Sequence, residues 1–153
     1  MQSNRDTARR VWQRVNSPQK ESAATMGERE ALRKLLALCF GDQMTFRAAA
    51  ARASASEQLL LRQLEKNCAD EAACLRGIHL LVTGGALKTP TQTGGGNLRQ
   101  CYQNTLARLS GYSLRTGDPL CGPAYRQLEQ QSRQQALLLL QLMGKEQQKS
   151  GAL

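Results

Sequence analysis

Apolar residues recur along the chain at alternating steps of three and four, in four separate blocks. That spacing follows the 3.6-residue helical turn, so each block predicts an amphipathic helix with one buried stripe. The first, from about 28 to 53, aligns Leu32, Leu35, Cys39, Asp42, Phe46, Ala49 and Ala53. The second follows "SASE", with Ser54 or Ser56 as its N-cap, and aligns Leu61, Leu64, Cys68, Glu71, Leu75, Ile78 and Val82 before stopping at "TGG". The third, from about 98 to 115, aligns Leu98, Tyr102, Thr105, Leu109 and Tyr112. "TGDPLCGP" breaks it, and the fourth, from about 124 to 144, aligns Tyr125, Leu128, Ser132, Gln135, Leu139 and Leu142. The expected fold is an all-α four-helix bundle.

The connections bear on topology. The first–second and third–fourth links are short, which implies two antiparallel hairpins. Between the hairpins lies "GALKTPTQTGGGN", residues 85–97. At up to about 3.3 Å per residue it reaches roughly 40 Å, enough to run back along a helix as a crossover.

The two halves also repeat one another. Leu64, Cys68, Glu71 and Leu75 in the second helix have the spacing of Leu128, Ser132, Gln135 and Leu139 in the fourth. Cys39 precedes Phe46 by seven residues, as Thr105 precedes Tyr112. Each half therefore brings one polar or thiol position from its first helix and an i, i+3 pair from its second.

With this layout, the "CFGDQMTF" segment (Cys39, Asp42, Phe46) and the closing Thr83-Gly84, residues 28–144 resemble the rubrerythrin-like branch of the ferritin-like superfamily. The resemblance implies a ferritin-like bundle of two hairpins joined by one long crossover. It also implies a di-iron oxidoreductase centre, with a Glu from each first helix and Glu-x-x-His from each second. Counting back from Thr83-Gly84 without gaps carries the six ligand positions onto Cys39, Cys68, Glu71, Thr105, Ser132 and Gln135. A register using Glu71 and Cys74 needs a deletion and moves Cys74 off the stripe.

Those six residues depart from the family's four carboxylates and two imidazoles. One carboxylate remains, and the only histidine of the chain, His79, lies one step off the stripe. Two iron ions carrying at least four positive charges need more anionic donors than this set offers. The expectation is therefore no catalytic residue, no metal and no cofactor, and a bundle acting as a structural or interaction module. The alternative is a metal-binding, rubrerythrin-like oxidoreductase with an unconventional Cys/Glu site. Cys39 and Cys68 read as small buried hydrophobes, with a thiol pair or a soft-metal site beside Glu71 as the other option. His79 reads as a boundary residue bonded to solvent or backbone.

Glu71 is the anomaly of an otherwise apolar stripe. Its expected partner is Gln135, Ser132, Thr105 or a trapped water. A carboxyl buried without a cation would have a raised pKa, and Glu71→Gln would then be neutral or stabilising near pH 7.

Composition adds little to this picture. The 153 residues carry 41% hydrophobic and 4% aromatic residues, enough for one core. Residues 1–27 read as a basic arm with a short helix near "TARRVWQRV", and 145–153 as a disordered tail. The net charge of +9 leaves nucleic acid as a partner for the arm, without any recognition motif, against the blander reading of a solvated tail. Homo-oligomerisation is the other partner expectation. No apolar run is long enough for a membrane helix, and the first residues are polar and basic instead of an apolar signal core, so export is not expected. Five cysteines without paired spacing fit reduced thiols and a cytoplasmic protein.

Overall fold

The computed structural model describes residues 23–88 and 96–151; expectations for the arm before Ala23 and for the middle of the 85–97 loop lie outside these residues. The described residues are all-helical: α1 (Ala23–Arg52), α2 (Ala55–Thr83), α3 (Leu98–Ser113) and α4 (Gly122–Gly151). Helix α1 packs against α2 and α3, and α4 packs against α3 and α2, giving a bundle-like arrangement. Two boundaries differ from the sequence reading. Helix α1 starts at Ala23, inside the expected arm, and α4 continues to Gly151, past Gly144 and into the expected tail. Propensity accounts for the extension, because Lys, Glu and Gln at 145–148 are all good helix formers and the glycine costs only about 1 kcal/mol.

The helix ends follow local chemistry. Ser54 has the extended backbone of an N-cap, although its hydroxyl makes no capping bond. Asn97 caps α3 through its side-chain oxygen, which accepts from Gln100 N at 2.8 Å. Asp118 accepts from the backbone N–H groups of Leu120 and Cys121 as the chain enters α4. Helix α2 stops at Gly84, whose φ of 74° is left-handed and cheap only for glycine.

The interior is built as two apolar clusters. One joins Leu32, Leu36 and Cys39 of α1 to Leu75, Ile78 and Val82 of α2, Tyr112 of α3, and Cys121, Tyr125 and Leu128 of α4. The other joins Phe46 and Ala50 to Leu61, Leu64 and Cys68, Leu98 and Cys101, and Leu139 and Leu142. Every expected stripe residue of α2 and α4 is buried. In α3 the buried set is Leu98, Cys101, Thr105, Arg108 and Tyr112. Tyr102 and Leu109, expected inward, are only half-buried, so the helix is rotated toward α1 relative to the sequence reading.

Candidate functional site

Between the two clusters lies a layer of buried polar side chains. All six positions that the family resemblance marks are in the interior: Cys39, Cys68, Thr105, Ser132 and Gln135 at 0% exposure and Glu71 at 1%. The helical periodicity places them correctly. Apolar periodicity gives no sign of the residue at their centre.

Arg108 of α3 is completely buried. Its Nε donates to Glu71 Oε2 at 2.7 Å and its Nη1 to Asp42 Oδ2 at 2.5 Å. Nη2 lies 3.5 Å from Thr105 Oγ1, which itself donates to the Cys101 carbonyl at 2.7 Å. Tyr112, one turn beyond Arg108, donates its hydroxyl to Glu71 Oε2. Asn104, one turn before, donates to Asp42 Oδ1 at 2.8 Å. One guanidinium thus bridges carboxylates from two other helices, a use suited to its planar fork of donors.

These contacts correct the expected partners of Glu71. Neither Gln135 nor Ser132 bonds to it, and Thr105 bonds Arg108 instead. Glu71 is a cation-paired carboxylate, so its replacement by Gln no longer reads as neutral. The physical reason is charge balance: an inward Asp42 and an inward Glu71 in a dry core need a counter-ion, and the chain supplies one covalently.

The electrostatics follow from burial and from that pairing. Burial opposes the Arg108 cation, but the acids around it, Glu71 foremost, hold its pKa well above the ordinary value. Burial pushes the Asp42 carboxyl up, against the pull of Arg108 and Asn104. Pairing outweighs burial at Arg108, whereas burial outweighs pairing at Asp42, because the one guanidinium is divided between two carboxylates. Burial, then Glu71, raises the Tyr112 phenol.

The thiols are similarly quiet. The contact with Cys68, followed by burial and the Glu71 charge, raises Cys39 well above a usual thiol. Its Sγ lies 3.5 Å from the Cys68 carbonyl oxygen. Burial and Asp42 raise Cys101. None of the five cysteines is joined in a disulfide, and a neutral buried thiol such as that of Cys39 or Cys101 is a poor nucleophile and metal ligand. Cys74 is half-buried, off the stripe.

His79 differs from expectation in burial and matches it in bonding. It is 3% exposed, and its Nδ1 lies 2.8 Å from the Gly85 carbonyl oxygen, a backbone partner. Burial lowers its pKa. It stands at the end of α2, away from the Arg108 layer.

The donor set does not fit a pair of iron ions. The layer offers two carboxylates, both engaged by Arg108, with thiols, hydroxyls and an amide as the remainder. Among the described residues no three His, Cys, Asp or Glu side chains are grouped to hold a metal ion. No helix among them is long and apolar enough to cross a membrane. No family model matches the chain, and neither a curated protein nor a solved structure matches it.

Proposed function

We propose that this chain is a ferritin-like, rubrerythrin-like bundle that has lost its di-iron centre and acts as a structural or interaction module. Support for the topology comes from the composition of the two apolar clusters. The start of α1 clusters with the end of α2, the end of α3 and the start of α4, a pairing consistent with one long crossover between two hairpins. The observation that carries the loss of the centre is Arg108, a fixed guanidinium among the six inherited positions that engages the two buried carboxylates there. A tethered cation at that place repels metal ions and supplies no electron. The oxidoreductase alternative would need thiolates, and the contact with Cys68, burial and the Glu71 charge hold Cys39 in its protonated form.

The test is elemental analysis of protein purified after iron-supplemented expression, alongside Arg108→Ala. The expected result is no stoichiometric iron in the wild-type chain. About two irons per chain, the complement of a di-iron centre, would overturn the proposal.

A further inference from the structure

The hydrogen-bond network around Arg108 stops short of α4. Asp42, Glu71 and Arg108 come from α1, α2 and α3 and bond one another. Helix α4 brings Ser132 and Gln135 into the same layer, both at 0% exposure, yet Ser132 Oγ and Gln135 Oε1 have no partner among the described residues. Glu71 Oε1 is in the same position, because Arg108 and Tyr112 both use Oε2.

Glu71 and Ser132 share a level, with Gln135 one turn further along α4. Gln135 Nε2 lies 3.6 Å from Cys68 Sγ, and a groove between the helices is lined by Cys74 of α2 with Gln127 and Leu128 of α4. The two helices therefore run in opposite directions. One turn onward from Cys68 is Glu71, and one turn back from Gln135 is Ser132, so these two face each other.

Carboxylate and amide oxygens only accept hydrogen bonds, whereas the hydroxyl has a proton to give. The set lacks two donors and one acceptor, which a single water molecule supplies. We propose that one internal water is bound between α2 and α4, donating to Glu71 Oε1 and Gln135 Oε1 and accepting from Ser132 Oγ. Three polar partners are the usual complement of a buried water. A metal cation would satisfy the two acceptors but leave the Ser132 proton without one. The water is then the link that joins the fourth helix to the buried ion network. It stands whether or not the ferritin-like topology holds.

Crystals grown with rubidium chloride as the salt, diffracting well enough to place waters, give the first test. The expected result is one full-occupancy peak within hydrogen-bond distance of all three oxygens, without rubidium anomalous signal. A rubidium peak, or a Gln135 amide turned to donate directly to Glu71, would overturn the proposal. In solution, oxygen-17 relaxation dispersion counts long-lived waters. Ser132→Val fills the volume with methyl groups, and Ser132→Ala is the milder variant should valine fail to fold. The count should fall by one in Ser132→Val, or the residence time shorten in Ser132→Ala; an unchanged signal in the folded variant sinks the assignment.

Discussion

Arg108→Met deletes the guanidinium while keeping much of the side-chain volume, and it leaves Asp42 and Glu71 in the core without a counter-ion. The loss has a ceiling set by protonation, since a buried carboxylate can always take up a proton instead. With unfolded values of about 3.9 for Asp and 4.3 for Glu, protonating both would cost about 9 kcal/mol at pH 7.5; protonating one, which can then donate a hydrogen bond in place of the guanidinium, costs about 4–5 kcal/mol at pH 7.5 and only about 1–1.5 kcal/mol at pH 5. This agrees with the roughly 3–5 kcal/mol lost when one member of a buried ion pair is removed. The sign of the pH effect follows. Without the cation, desolvation opposes ionisation of both carboxyls, so in the variant their folded pKa values lie above the unfolded ones. Their contribution is intact below the unfolded values and is lost as pH rises through the folded values, so the deficit against wild type is largest at pH 7.5 and shrinks toward pH 5. Urea unfolding followed by circular dichroism reads this directly. For a slope of about 2 kcal/mol per molar, the midpoint at pH 7.5 should drop by roughly 2 M. The combined Asp42→Asn, Glu71→Gln, Arg108→Met variant should regain most of the loss, because no charge is then left unpaired. A single variant within about 0.5 kcal/mol of wild type at pH 7.5, well below the pair-breaking range, would refute the reasoning. So would a deficit that stays constant between the two pH values.

Three further outcomes are expected. Glu71→Gln should destabilise the fold near pH 7 by about 1.5–3 kcal/mol, the worth of a hydrogen bond to a charged group; chemical denaturation showing a neutral or stabilising effect would restore the reading of an unpaired carboxyl. Alkylation of the native protein, followed by mass spectrometry, should label half-buried Cys74 ahead of Cys39, Cys68 and Cys101, and comparable rates at all four would contradict the packing. Of the three tyrosines, Tyr112 and Tyr125 are both raised by burial, so alkaline titration at the phenolate absorbance should leave two phenols un-ionised until the protein unfolds; three ionising together near pH 10, the ordinary phenol value, would count against it.

Helix positions were legible in the chain because burial repeats with the helical turn. Leu61 to Val82 and Tyr125 to Leu142 are inward as their spacing requires, and so are the six positions Cys39, Cys68, Glu71, Thr105, Ser132 and Gln135. Even the need for a cation was implicit, since Asp42 and Glu71 both fall on buried stripes. The identity of that cation was not. In α3 two stripes of equal period compete: Leu98, Tyr102, Thr105, Leu109 and Tyr112, or Leu98, Cys101, Thr105, Arg108 and Tyr112. Apolarity favours the first, and an arginine in a helix ordinarily faces water. Only the packing of α3 against α1 selects the second, because it brings Arg108 within reach of carboxylates on α1 and α2 at once. Periodicity along one helix fixes which residues face inward. What an inward charge pairs with depends on the rotation of a neighbouring helix, and that is settled by contacts between residues dozens of positions apart.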